Sequence, residues 1–513
     1  MTIGTADTTT IGPGPFVFEE LHVHVGKTLV ILPGAELIRQ DVPPASPGHA
    51  DGGIMVEGRL VAVRTPGDPP IVIRSANPLG YRGHLMAMDT GMMELDGVEF
   101  RDFGRTKISL LNTTTNLIAR YPVHFHLCGD GGYQSRVENC LVWDTVQPSV
   151  WRHGIVIHGT NGLMCRNNTI RNKGGTGIFT ENGTETDNLI EGNVIEDIRN
   201  YNGMNSATMT SPRPVERPTY NNDLGFEGSG IWLRGTRNIV RNNTIRRCAI
   251  GLEIMADLSP TQYDPVNVLT NNTIEDCYDG FQPWFLGANS INNNPIICPV
   301  RQYVDSFTIR RCQRGMFTYY CGRVSFRDFN VSNCSTGILM GDYRFWECEI
   351  IRPNISACSY TGIGMGTYIN NGLLIADGVF SGNATDINEG TLWHNGNGSY
   401  LPPRLVTVRN CRLNSATKIK RLTNNDGHRN FIQLDQLKVE DFQGVAGDNF
   451  SVYFADQISS KVLPQTSADG KDIGSPVAGL TNAQNLAQHG VCWAGELLPA
   501  GATTRPGING LVL

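Results

Sequence analysis

The sequence predicts an all-β chain wound as a parallel β-helix, and three observations predict it. The phrase RNNTIR stands at 166–171 and again at 241–246, with EGNVIE at 191–196 and TNNTIE at 270–275 as close copies. A second phrase, Gly followed by alternating apolar residues, recurs as GIVIH (154–158), GIFTE (177–181), GIWLR (230–234), GLEIM (251–255), GFQPW (280–284), GMFTY (315–319) and GILMG (337–341). Most of these glycines stand 21 to 29 residues apart, with gaps of 53 and 35 where the chain carries insertions. Repetition at that period, with residue alternation and no heptad or long helical period, describes one solenoid coil per unit. Each unit is expected to hold two short strands and their turns.

Four segments follow in order. Residues 1–15 form an N-terminal tail. Residues 16–110 hold strand-like runs such as LHVHVGKTLVILPGAEL and GGIMVEGRLVAVR, read as a glycine-punctuated β domain and the first coils. Residues 111–400 are the helix body, with an insertion at 201–227 placed to wall one face. Residues 401–513 are C-terminal coils and a cap, in which LTNAQNLAQHG reads as a short helix ended by Gly490.

Composition narrows the function. The net charge is −6, with no basic stripe, so nucleic acid is not an expected partner. No apolar run approaches the roughly 20 residues of a membrane helix, and MTIGTADTTTIGPGP lacks the pattern of a secretion signal. An extracellular location is expected, with the signal removed or another export route in use; a chain that stays inside the cell is the alternative. The 13 cysteines are odd in number and contain no Cys-x-x-Cys pair. Cys248, Cys277, Cys312, Cys334 and Cys358 align as a column and are expected to be small, buried, reduced thiols. Asn139, Asn168, Asn193, Asn243 and Asn272 align as a second column, expected to hydrogen-bond from coil to coil.

Alternation within each Gly phrase sends one set of residues into the core and the other outward. Applied to PVHFH at 122–126, it buries Val123 and Phe125 and turns His124 and His126 out. The outward row then reads His124, His126, His158, Glu181, Trp232, Arg234 and Glu253 on successive coils. His22 and His24 in LHVHV have no visible partner column and are assigned a structural role.

RYPVHFHLCGD at 120–130, HGTNG at 158–162 and IFTENG at 178–183 together resemble the cell-migration-inducing and transmembrane hyaluronidases. GGIMVEGRLVAV and RGHLMAMDTGMMELDGVEF look similar to that family's eight-glycine domain. The resemblance implies a right-handed, pectate-lyase-like β-helix and breakdown of hyaluronan or a related glycan. It singles out Arg120, His124, His126, Asp130, His158 and Glu181, and Asn161 more weakly.

The expected function is cleavage of an acidic, uronic-acid-containing polysaccharide, with hydrolysis favoured over β-elimination. His126, His158, Glu181 and Glu253 are the candidate catalytic groups, and Arg120, Trp232, Arg234 and Asn161 the substrate-binding ones. His124, His126, His158 and Asp130 form a candidate site for a divalent ion, zinc or calcium, and no organic cofactor is expected. Strand spacings put Glu181 and Glu253 roughly 12 Å apart at Cβ, from which side chains can bend toward the roughly 6.5–9.5 Å of an inverting pair. A metal-free histidine acting as acid or base is the other version. A non-catalytic glycan-binding protein and a phage-type tailspike depolymerase stand as alternatives; the chain is expected to be a monomer or a trimer, a trimer in the tailspike reading.

Overall fold

The computed structural model describes residues 7–42, 52–104, 120–146, 153–200, 206, 228–255, 267–284, 286, 288–291, 294–297, 300–318, 321–340, 345–365, 369–389, 405–415, 417–420, 449–455 and 460–465. The insertion at 201–227, apart from Ser206, and the LTNAQNLAQHG segment lie outside these residues. The chain divides into two compact units, Met1–Glu253 with Asp276–Tyr278, and Ile254–Glu275 with Asp279–Leu513.

The first unit is a parallel β-helix with three strands in each coil, one more than the sequence pattern suggested. One coil runs Ile155–Thr160, Met164–Arg166 and Thr169–Arg171; the next runs Thr176–Thr180, Leu189–Glu191 and Val194–Glu196. Each strand pairs in parallel with its equivalent one coil on. The extra strand lies within the RNNTIR phrase. Asn167 takes a left-handed φ of 56°, a region that Asn enters at low cost, and bends the chain between two three-residue strands.

Coil stacking explains the two recurring chemistries of the repeat. A Cβ on Gly154 would stand 2.4 Å from the carbonyl oxygen of Gly177, and one on Gly177 would stand 2.4 Å from that of Gly230. Glycine is therefore required where adjacent backbones touch. Asn168 Nδ2 donates to Asn193 Oδ1 at 2.9 Å, and Asn193 Nδ2 donates to Asn243 Oδ1 at 2.9 Å, all three buried. Each carbonyl also receives the backbone N–H of the preceding coil, as in Asn168 N to Asn193 Oδ1 at 3.0 Å. Buried amides are thus satisfied along the axis.

The expected ladder is one residue out of register at its start. Leu141 pairs with Thr169, so Cys140, not Asn139, occupies the ladder position and donates its N–H to Asn168 Oδ1 at 3.0 Å. Asn139 instead takes the left-handed corner, φ 52°, and donates to Asp96 on the surface. A second ladder was not foreseen: Asn188 Nδ2 donates to Asn238 Oδ1 at 3.0 Å.

Inside the first unit Val123, Phe125, Ile155, Ile157, Ile178 and Ile231 are buried, as alternation required. The second unit carries its own parallel strands, among them Arg314–Thr318, Thr336–Met340 and Thr361–Met365. It packs Phe281, Phe307 and Phe329 at 5.0 to 6.3 Å between ring centroids. Its strands Leu405–Leu413, Asn449–Ala455 and Ser460–Gln465 turn antiparallel. Every described cysteine is buried and a thiol outside any disulfide, as the column predicted.

Candidate active site and metal centre

The site is built on one sheet of the first unit. Strands Leu85–Met88, Val123–Gly129, Ile155–Thr160 and Thr176–Thr180 pair in that order. His124 is level with Val156 and His126 with His158. Glu181 follows one residue after the next strand, its N–H donating to Ile157 O at 3.0 Å. The shared register brings His124, His126, His158 and Glu181 together from three coils.

Nitrogen atoms of His124, His126 and His158 lie within 4.8 Å of one another. The rings of His126 and His158 meet edge to face at 4.7 Å, and those of His124 and His158 are parallel at 6.1 Å. His124 is fully buried, whereas His126 and His158 are part-exposed. The cluster therefore opens on the His126 and His158 side. Glu181 Oε2 lies 3.4 Å from His158 Nδ1 and 4.0 Å from His124 Nε2. Neither His158 Nδ1 nor Glu181 Oε2 has a hydrogen-bond partner among the described residues.

The environment shifts both groups toward their neutral forms. Burial lowers the pKa of His158 and pushes the Glu181 carboxyl up to about 7, with the Glu185 carboxylate adding to the rise and Arg234 opposing it. A largely buried carboxyl that can hold a proton near neutral pH beside the His158 imidazole is suited to general acid–base work.

Glu185, which sequence reasoning missed, holds the site in place. It is buried and accepts three backbone N–H groups: Gly159 and Asn182 at Oε1 (2.9 and 3.0 Å) and Gly183 at Oε2 (2.8 Å). It ties the turn after His158 to the turn after Glu181. The only sequence signal was an acidic residue just beyond the ENG turn.

Beyond His126 the strand departs from its neighbour. The register with Ile155–Thr160 shifts between His126 and Gly129, where Leu127 and Gly129 take φ of 57° and 53°. This bulge carries Asp130 away from the histidines. Asp130 is exposed and accepts a hydrogen bond from Asn161 Nδ2 at 3.1 Å, which corrects its expected place as a fourth metal ligand. Asn161 is occupied in the fold as well, accepting from Thr186 N and Oγ1 at 3.0 and 3.2 Å.

The residues expected to grip sugar are placed differently from that expectation. Trp232 is 1% exposed and stacks on Phe179 at 5.0 Å, in a column that continues through His153 to Tyr121. Its indole packs within the column and does not offer an open platform. Arg234 is buried, with Nη1 donating to the Glu181 carbonyl oxygen at 2.6 Å, and Arg120 is buried too. Glu253 is buried and accepts from Ser229 Oγ at 2.5 Å. It does not join the histidine and Glu181 cluster. Alternation gave these residues their side of the strand correctly, but it carries no information on what covers that side.

LHVHV also has a partner that the sequence did not reveal: Glu57, whose Oε2 lies 2.9 Å from His22 Nε2. Among the described residues no helix is long and apolar enough to cross a membrane.

Residues 80–279 match the family model described as the CEMIP beta-helix, so the resemblance read from RYPVHFHLCGD holds over this segment. The chain is 24% identical over 242 residues to mouse Fibrocystin-L, covering 43% of this chain and 5% of that protein. It is 32% identical over 117 residues to the human "Cell surface hyaluronidase CEMIP2", covering 22% of this chain and 8% of that protein. The chain thus spans less than a tenth of the length of these relatives. Among solved structures, the periplasmic alginate epimerase AlgG aligns with a TM-score of 0.36 at 12% identity, over 80% of this chain and 79% of that one.

Proposed function

Taking residues 80–279 as a CEMIP-type β-helix, we propose that the chain is an extracellular enzyme that cleaves an acidic, hyaluronan-like polysaccharide at the histidine cluster. One observation carries the reading: His124, His126, His158 and Glu181 converge from three consecutive coils on one partly open face. One relative is named a cell surface hyaluronidase, which makes hyaluronan the first substrate to test.

Glu181 is the proton carrier. Protonated near neutral pH, its Oε2 can donate to the glycosidic oxygen as the bond breaks and take a proton back from water afterwards. Glu185 holds the flanking turns, and Arg234 fixes the Glu181 backbone. His126 and His158 border the open side and face the substrate.

The donor set discriminates between the two expected ions. Three imidazoles suit a zinc-class ion and do not suit calcium, which takes oxygen ligands. His124, His126 and His158 would hold the ion, and the orphaned Nδ1 of His158 supports that role. Such an ion would supply a Lewis acid and an activated water.

Hydrolysis remains the leading reaction. The engagement of Glu253 by Ser229 favours a second reading, β-elimination, which needs no second carboxylate beside Glu181. Incubation with hyaluronan and other uronic-acid polysaccharides separates them. New reducing ends without absorbance from unsaturated sugars support hydrolysis, and reducing ends with that absorbance support elimination. Glycan retention without products supports a binding protein and overturns both.

A further inference from the structure

The strand Leu21–Val23 belongs to the same sheet as the histidine cluster and opens on the same His-x-His spacing. His22 is level with Met55, Met55 with Met86, and Met86 with His124. His22 and His124 therefore share one column on the outer face, three coils and roughly 14 Å apart. Met55 and Met86, both buried, fill the column between them.

Around His22 the fold gathers a second set of metal-ligating atoms. One atom each from His22, His24 and Glu57 lies within 4.8 Å of the others. Glu57 Oε2 faces both rings, 2.9 Å from His22 Nε2 and 3.8 Å from His24 Nδ1, and the ring centroids are 3.9 Å apart.

The backbone holds this arrangement. Glu57 N and Gly58 N both donate to Val23 O, at 2.8 and 3.0 Å, and Lys27 N donates to His24 O at 3.0 Å. A Cβ on Gly58 would stand 2.3 Å from the carbonyl oxygens of His24 and Lys27. Only glycine lets the two turns close, and their closure is what sets Glu57 against the histidines.

We propose that His22, His24 and Glu57 form a second site for a divalent transition-metal ion, separate from the histidine cluster. Two imidazole nitrogens and one carboxylate oxygen are a donor set for zinc, nickel or copper(II) and a poor one for calcium or magnesium. The side chains of His22, His24 and Glu57 are 25%, 45% and 32% exposed. Their outer side is open to water, which would complete the coordination. The ion would clip the turn after Val23 to the turn after Val56 and so fasten successive coils at the start of the helix. The site does not depend on the histidine cluster holding a metal.

The test uses the full chain, stripped with a chelator and titrated with Co2+ as a spectroscopic stand-in for zinc, alongside thermal melts with and without Zn2+. Wild type, His24→Ala, Glu57→Gln and the double variant His126→Ala/His158→Ala are compared. His24→Ala and Glu57→Gln are each expected to weaken one equivalent of Co2+ at least tenfold and to remove part of the zinc-dependent rise in Tm. The double variant is expected to retain that equivalent. Unchanged stoichiometry and affinity in both His24→Ala and Glu57→Gln would overturn the site, as would loss of all binding in the double variant. If wild type binds one equivalent that His24→Ala abolishes and the double variant keeps, this site stands and the metal at the histidine cluster falls.

Discussion

Two His-x-His pairs begin on one sheet of the first unit, with His22 and His124 in the same column. At 124 and 126 the next coil contributes a third histidine, His158, and the coil after that a largely buried carboxyl, Glu181, only 12% exposed. At 22 and 24 the next coil contributes Glu57, and the group remains open to solvent. The motif is identical, and the chemistry differs through its neighbours. Burial moves His158 and Glu181 toward their neutral forms, as proton transfer requires, while in the outer group Glu57 Oε2 stands 2.9 Å from His22 Nε2 on a side open to water. A short motif on a solenoid gains its meaning from the residues one coil away.

The largest expected break in this comparison is catalytic. His126→Ala and His158→Ala should each lower the rate of glycan cleavage by about 10²–10⁴-fold, whereas His22→Ala should leave it within about twofold, as read from reducing ends at saturating hyaluronan. Equal losses at both pairs would erase the distinction. Glu181→Gln should fall in the same range as His158→Ala, with an unchanged fold by circular dichroism, because the amide keeps the shape and loses the proton.

A smaller effect tests the supporting shell. Glu185→Gln replaces an acceptor of three N–H groups by an amide whose NH2 opposes one of them. Activity should fall by about 10–100-fold, by analogy with the loss of groups that orient site ligands. Stability should fall by about 1–3 kcal/mol, measured by urea unfolding. Among the described residues no backbone N–H donates to the Glu57 carboxylate, which meets His22 and His24, so Glu57→Gln in metal-free protein should shift the unfolding midpoint much less.

A separate effect is a pH signature of the metal-free chain. The folded-state pKa of Glu181, about 7, lies above its ordinary 4.5, so between those values the folded chain binds more protons than the unfolded one. The contribution of Glu181 is fully present below about pH 4.5 and is lost as pH rises through about 7. Urea midpoints recorded across that window should show the decline in wild type and less of it in Glu181→Gln.

The sequence carried the fold and the inner half of the site with good fidelity, for a physical reason. A period-2 pattern sets which side of a strand each residue faces, and the repeat sets which residues are level, so His124, His126, His158 and Glu181 were legible together. Three things were not. The bulge after His126 removed Asp130, and nothing in LCGD announces a left-handed Leu127. The shift from Asn139 to Cys140 arose because two adjacent corner positions both accept Asn. The covering of Trp232, Arg234 and Glu253 depends on what packs over the strand, which alternation does not encode.

The coil-by-coil pairing between Val123–Gly129 and Thr176–Thr180 also limits how such a chain can change its length. A solenoid gains or loses whole coils by duplication or deletion, because a whole coil preserves every ladder. Elsewhere in the helix, apart from the step from His24 to Glu57 that the second site would span, such an event only lengthens the stack. Between His126 and His158, or between His158 and Glu181, one added coil would double a separation of roughly 4.8 Å and pull the cluster beyond reach of a single substrate atom. Coil number is therefore free to drift along most of the helix and is fixed across these two steps.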